Sequence, residues 1–289
     1  MSPRRRAVVA ALLAAPVLAG CSRLLFLPME RWVRTPADVG LDYRDVALRT
    51  ADGTALSAWW LPARGAPRGT VLFLHGNAEN ISTHLRSVAW LPDAGYQVLL
   101  LDYRGYGRSD GRPTVPAVFD DLRTAAAWLA AEPAVGGRPV FLLGQSLGAA
   151  LGGYLAGAEA GFRALFTAVV LDSGFARYRD IAREVAARGV VTWPLQWPIA
   201  AGMPDGYDPV DQVARLSPVP LLLIHGTSDG VVGYHHAQAL FAAAREPRFL
   251  LSYDGPHIAA FEDAEIRAAV LRFFADPANG RNALAAASG

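Results

Sequence analysis

Three residues far apart in the chain could together carry out acyl transfer. Ser146 stands in Gly144-Gln145-Ser146-Leu147-Gly148, Asp229 in His225-Gly226-Thr227-Ser228-Asp229-Gly230, and His257 in Asp254-Gly255-Pro256-His257. A serine hydroxyl is a weak nucleophile until a base takes its proton. An imidazole serves as that base when a carboxylate fixes its tautomer and stabilises its charged form. His257 would accept the proton as Ser146 attacks a carbonyl carbon, pass it to the leaving group, and then activate water for deacylation. The scheme calls for no metal and no organic cofactor. Asp172, which ends the strand after the serine, is the alternative acid.

Such a serine has to be held on a sharp turn. Val140-Phe141-Leu142-Leu143 reads as a short buried strand, and the small-residue run from Ala149 to Ala158 as a helix that can pack close to a sheet. The five residues between them have the G-x-S-x-G spacing of a nucleophile elbow. On such a turn the Leu147 amide points at the reacting carbonyl oxygen, with a helix N-terminus behind it. A second amide is needed at the end of a neighbouring strand. Thr70 to Leu74 is that strand, His75-Gly76-Asn77-Ala78 follows it, and Asn77 is the candidate donor. His75 precedes the serine on the rigid rim and reads as a residue that holds the loop's shape.

The remaining elements read as an alternation of strands and helices. Tyr43 to Thr50 and Leu56 to Leu61, joined at Asp52-Gly53, form an edge hairpin. Asn80, Ser82 and Thr83 offer caps for a helix running to Asp93. Gln97 to Leu101 leads into Asp102-Tyr103-Arg104-Gly105-Tyr106-Gly107-Arg108-Ser109-Asp110-Gly111, where Asp102 and Arg104 read as a local pair. Its glycine spacing is not that of a dinucleotide site. Val115 to Glu132 is amphipathic. Residues 176–216 break the alternation. Tyr178 to Arg188 is helical in pattern, and Trp193-Pro194-Leu195-Gln196-Trp197-Pro198 is not. This stretch reads as a short cap, with Phe175, Trp193, Leu195 and Trp197 lining an apolar pocket. His84 reads as exposed. His235 and His236, neighbours at a helix start, should diverge by about 100° and make a poor pair of metal ligands.

Composition excludes several other chemistries. All 27 basic residues are arginines, so there is no Schiff-base lysine, no Walker A lysine and no Ser-Lys dyad. The formal charge of +1 gives no support for nucleic-acid binding. At the N-terminus, Arg4-Arg5-Arg6 precedes an apolar run, Ala7 to Ala19, too short for an ordinary spanning helix. Leu18-Ala19-Gly20-Cys21 follows and resembles a bacterial lipobox, with the only cysteine of the chain as lipid acceptor. Removing residues 1–20 leaves 24 arginines against 26 acidic residues, so the anchor would be lipid rather than a polybasic patch.

The blocks GNAEN (Gly76 to Asn80), LDYRGYGRSDG (Leu101 to Gly111), GQSLGAALG (Gly144 to Gly152), HGTSDGVV (His225 to Val232) and GPH (Gly255 to His257) together resemble the α/β-hydrolase superfamily. Within it they are similar to the serine-aminopeptidase-like hydrolases. The order Ser146, Asp229, His257 is that superfamily's order. One departure is Gly233, where the family commonly has proline after the acid loop.

The resemblance implies an α/β fold with a mostly parallel central sheet, helices on both faces and a short cap. It divides the chain into a signal peptide (1–20), a tether (21–42), a hydrolase domain (43–275) and a tail (276–289). It implies a serine hydrolase acting on carboxylic esters or thioesters, with small acyl esters, lipids or acylated proteins as substrates. A peptidase or amidase, and a catalytically silent envelope binding protein, are the alternatives. The location implied is the bacterial envelope, with Cys21 lipid-anchored to a membrane, on the periplasmic side of the outer membrane where the host has two. Protein extracted from its native membrane should therefore begin at Cys21 and carry the mass of a diacylglyceryl and an acyl group. A soluble species, or one that retains Met1, would overturn this expectation.

Overall fold

The structure is a computed structural model that describes residues 25–280. Residues 1–20 and the acceptor Cys21 lie outside the described residues. Eight strands form one sheet: β1 (Arg44–Arg49), β2 (Ala55–Leu61), β3 (Gly69–Leu74), β4 (Tyr96–Leu101), β5 (Val140–Gln145), β6 (Ala168–Asp172), β7 (Leu221–Gly226) and β8 (Arg248–Tyr253). Their spatial order is β8-β7-β6-β5-β3-β4-β2-β1. The β1–β2 hairpin is antiparallel and β2 runs antiparallel to β4, whereas every other pairing is parallel.

The central strands are apolar at nearly every position because both faces are covered. Successive side chains point to opposite faces, and the two cores divide along that alternation. Leu72, Leu74, Leu99, Leu101, Leu142, Leu171 and Leu223 pack on one side with α1 (Val115–Ala131) and α2 (Leu147–Ala158). Val71, Phe73, Val98, Leu100, Leu143, Val170 and Ile224 pack on the other with α6 (Ala264–Ala275).

After β6, α3 (Tyr178–Arg188) and α4 (Gln196–Ala201) pack together as the cap, and α5 (His235–Ala243) follows β7. The stretch around Pro194 and Pro198, read as non-helical, is instead a 3-10 turn (Trp193–Leu195) leading into α4. Pro198 lies in the first turn of α4, where a missing N–H costs nothing. The helix read from Asn80 toward Asp93 is likewise different. Asn80 does cap Ile81–His84, but a 3-10 turn (Leu85–Ser87) and tight turns follow.

The chain ahead of the sheet lies on the domain. Leu25 and Phe26 are buried, and Asn80 Nδ2 donates to the carbonyls of Met29 and Arg31 at 2.8 and 2.9 Å. At the other end, Gly280 is buried against the Phe249 ring. Among the described residues no helix is long and apolar enough to cross a membrane.

One close approach sets how the elbow meets the sheet. A Cβ on Gly148 would lie 2.1 Å from the Leu74 carbonyl oxygen and 2.6 Å from that of His75, so α2 and the loop after β3 touch backbone to backbone. Gly148→Ala should therefore destabilise the protein by at least about 1–3 kcal/mol, seen as a lower denaturation midpoint. Gly161→Ala is the control, because nothing lies within 4 Å of its added carbon. Equal midpoints for the two variants would contradict the argument.

Candidate active site

Ser146 caps α2 with φ 52° and ψ −113°, a left-handed backbone rare outside glycine. Its amide donates to the Asp172 carbonyl at 2.8 Å. Two more non-glycine residues with positive φ, Ser173 (54°) and Ile258 (52°), sit beside it and are joined to each other. The Ile258 amide donates to Ser173 Oγ at 3.2 Å, which places the loop that carries His257. Conformations of this kind cost about 1–3 kcal/mol each and persist only where the surroundings hold them.

The structure brings Ser146, His257 and Asp229 into one hydrogen-bonded chain. His257 Nε2 lies 3.0 Å from Ser146 Oγ, and His257 Nδ1 lies 2.7 Å from Asp229 Oδ2. Gly226 makes this closure possible, since a Cβ there would sit 2.1 Å from the Gly255 carbonyl oxygen. The other oxygen of Asp229 accepts from the Val231 and Val232 amides, both at 2.8 Å. His225 braces the same loop, with Nε2 2.8 Å from the Val232 carbonyl and 3.4 Å from Asp229 Oδ2. Burial by itself would raise the Asp229 carboxyl. The hydrogen bonds from His225, His257 and Val232 outweigh it and hold the group well below the usual carboxylate range.

Asp172, the alternative acid, is occupied elsewhere. It is fully buried and accepts from Gln145 Nε2 at 2.8 Å and from Ser173 Oγ at 3.1 Å. Burial raises it to about 6, against the pull of those two hydrogen bonds. Its place is beneath the strained turns, as support.

The loop after β3 presents Asn77 at the cavity that also exposes Ser146 and Leu147. Two tyrosines of the Asp102–Gly111 loop hold it. Tyr103 OH donates to the His75 carbonyl at 3.0 Å and Tyr106 OH to the Asn77 carbonyl at 2.6 Å. His75 is fully buried, stacks on Tyr103 and lies 2.7 Å through Nδ1 from the Gly76 carbonyl, so it shapes the loop. His84, read as exposed, is buried, with its ring packed under Gly76.

Asp102 and Arg104 do not pair with each other. Asp102 accepts from the Ile81 amide (2.9 Å) and the Trp32 indole (3.0 Å), and burial raises its carboxyl to about 7. Arg104 turns away to Asp121 and Asp52. Neither tyrosine was identifiable as a loop clamp from spacing alone.

The cavity has a volume of about 300 Å³. Phe175 lines it as expected, but Trp193, Leu195 and Trp197 do not. They are 61%, 51% and 65% exposed on the outer face of the cap. The cap's inner face is instead Ile181, Val185, Thr192, Ile199 and Met203, joined by Leu25 from the chain ahead of the sheet. The reason is helical phase: Trp197 and Ile199 are two apart on α4, about 200° around the helix, so Ile199 facing inward turns Trp197 out.

His235 and His236 also differ from the expected divergence. Their rings lie 4.4 Å apart, and both Nε2 atoms reach Glu184 of the cap, at 3.0 and 3.3 Å. The three potential ligand atoms fall within 4.8 Å of one another. His236 Nδ1, however, accepts from the Ala176 amide at 3.2 Å. In the neutral ring the proton is therefore on Nε2, donated to Glu184, where a metal would need a lone pair. The trio acts as a clamp between cap and core.

A family model described as serine aminopeptidase, S33, matches residues 65–177. Over 224 residues the chain is 34% identical to YfhR of Escherichia coli strain K12, an alignment that spans 75% of this chain and 74% of YfhR. It is 29% identical over 252 residues to the alpha/beta hydrolase domain-containing protein WAV2 of Arabidopsis thaliana, covering 82% and 76% of the two chains. Among solved structures, the esterase Pf2001 of Pyrococcus furiosus superposes with a TM-score of 0.72 at 22% identity, over 87% of this chain and 97% of that one. This last likeness is one of fold.

The two carboxylates can be told apart by experiment. Asp229→Asn should lower kcat about 10⁴-fold, whereas Asp172→Asn should keep most of the turnover. Asp172 has a folded pKa raised above its unfolded value. Its contribution to stability is therefore full below about pH 4 and is lost as the pH rises through about 6. In urea melts, Asp172→Asn should gain stability relative to wild type between pH 5 and pH 8. A greater loss of kcat in Asp172→Asn than in Asp229→Asn would reverse the assignment.

Proposed function

The chain belongs to the serine-aminopeptidase-like group of α/β hydrolases, and on that premise we propose that it is a serine hydrolase of carboxylic esters or thioesters. One observation carries the choice of substrate. The hydrogen-bonded chain Ser146–His257–Asp229 opens into a cavity lined mostly by apolar side chains, and among the described residues no charged one lines it. An aminopeptidase needs a carboxylate to receive the substrate's ammonium group. An acyl chain needs apolar walls, and Phe175, Ile181, Val185, Ile199 and Met203 supply them.

The reaction follows from the geometry. Ser146 Oγ attacks the carbonyl carbon while its proton passes to His257 Nε2. Asp229, kept ionised by hydrogen bonds from His225, His257 and the Val232 amide, stabilises the imidazolium that forms. The carbonyl oxygen takes the negative charge and receives the amides of Leu147 and Asn77. Collapse breaks the bond to the alkoxide or thiolate, which leaves with the proton from His257. Water then attacks the acyl carbon as His257 takes its proton, the bond to Ser146 Oγ breaks, His257 returns the proton to Ser146, and the acyl group departs as the carboxylic acid. The leaving group of an ester or thioester needs less help than an amine, which suits a cap whose polar residue at the cavity, Thr192, gives its hydroxyl to the Ala186 carbonyl.

The test is a panel of nitrophenyl esters with acyl chains from two to sixteen carbons, run beside aminoacyl anilides. Wild type should prefer esters of short to medium chains. Ser146→Ala should lower turnover by about four to six orders of magnitude with the fold intact. A Ser146-dependent preference for the anilides would overturn the ester reading. Equal activity in wild type and Ser146→Ala would overturn Ser146 as nucleophile.

A further inference from the structure

Six of the ten large apolar side chains exposed among the described residues lie in the cap. Val190 is 94% exposed, Val191 83%, Trp197 65% and Trp193 61%, and all four lie in the cap within eight residues of one another. From Gly189 to Pro204 there is no charged side chain. This surface runs directly into the cavity. Val185 and Val231 are about half exposed and at the same time line the pocket that holds Ser146. Arginines rim the patch. Arg183 lies over the Trp197 ring at 5.2 Å, and Arg188 donates to the Val231 carbonyl at 2.9 Å. The one acid between them, Glu184, is turned away to His235 and His236. A soluble surface rarely leaves two valines and two tryptophans bare beside an active-site mouth.

The chain ahead of the sheet tells what covers this face. Leu25 lines the same cavity, and the Leu27 amide donates to Asn77 Oδ1 at 3.0 Å. Cys21, the lipid acceptor implied by the sequence, is only four residues upstream of Leu25. Four residues reach at most about 14 Å. Lipid on Cys21 would thus hold the cavity mouth, not the far side of the domain, against the bilayer.

From this arrangement we infer that the cap face around Val190, Val191, Trp193 and Trp197 docks on an anionic lipid bilayer. The acyl ester then enters the cavity directly from the membrane. Tryptophans fit the interfacial zone, valines the acyl boundary, and arginines the anionic headgroups. The substrate half of this inference rests on the ester hydrolase reading above, whereas the docking half does not.

Full-length lipidated protein in vesicles of phosphatidylethanolamine and phosphatidylglycerol with brominated acyl chains provides the test. Tryptophan emission should be quenched in wild type, and that quenching should be lost in the Trp193→Phe/Trp197→Phe variant. Replacing phosphatidylglycerol by phosphatidylcholine should weaken it. Val190→Glu/Val191→Glu changes two solvent-exposed positions outside the pocket. It should slow hydrolysis of an ester dissolved in the vesicles about tenfold and leave a water-soluble ester unaffected.

Undiminished quenching without the two tryptophans would overturn the docking, as would equal vesicle rates for wild type and the glutamate variant. A wild-type dimer abolished by the glutamate substitutions would overturn it in favour of contact between copies. Absence of lipid from Cys21 would overturn the tethered geometry. Quenching as expected without Ser146-dependent hydrolysis of either ester would leave the docking standing and sink the hydrolase reading instead.

Discussion

The site depends on a backbone turn that most side chains avoid. Ser146 has to be left-handed for its hydroxyl to stand clear of the sheet, and a relaxed backbone would point it elsewhere. The surroundings hold that strain through three fixed contacts. The Asp172 carbonyl takes the Ser146 amide, α2 starts at once on the far side, and Gly148 lets the helix touch the Leu74 carbonyl. Ser173 and Ile258 also have positive φ on the neighbouring loops and are hydrogen-bonded together. Serine and histidine are thereby located by backbone, with little left to side-chain rotamers.

The second feature is a polar frame beneath the loop that carries Asn77. The Asp102–Gly111 loop contains no residue assigned to the chemistry, yet it fixes the loop that is. Tyr103 and Tyr106 hold two of its carbonyls, and Asp102 ties the Ile81 helix start to Trp32 of the leading segment. A carboxyl raised to about 7 by burial is a costly anchor at neutral pH. Two donated hydrogen bonds offset part of that cost and give the loop a single geometry.

These features differ in how far the sequence discloses them. The strands were legible because burial on both faces leaves short apolar runs, and their alternation sorts residues such as Val71 and Leu72 into opposite cores. The Ser146–Asp229–His257 relay was legible because each member follows a strand end in a distinctive glycine-containing loop. The cap was not. Between Gly189 and Pro204 nearly every residue is apolar or neutral, so periodicity cannot say which face turns in. Ile199 and Met203 took the inner face and the tryptophans the outer. The partners of Asp102 and Arg104 were equally hidden, because Trp32, Ile81, Asp52 and Asp121 come near only through the tertiary fold.

The way the cap is fastened separates chemistry from selectivity. Its polar tie to the rest of the domain at Glu184 runs to His235 and His236, and its buried Tyr178, Ile181 and Met203 pack into the apolar core. None of them passes through the relay. The hydrogen-bonded chain and both candidate oxyanion amides follow the sheet's strand ends, whereas half of the residues lining the cavity belong to the cap. Substitutions on the cap's inner face can therefore reshape the cavity while the Ser146–His257 and His257–Asp229 distances stay where the backbone sets them. A scaffold of this kind can change what it binds without rebuilding how it reacts. That independence is why membership of the family carries the reaction type to this chain more securely than it carries any substrate.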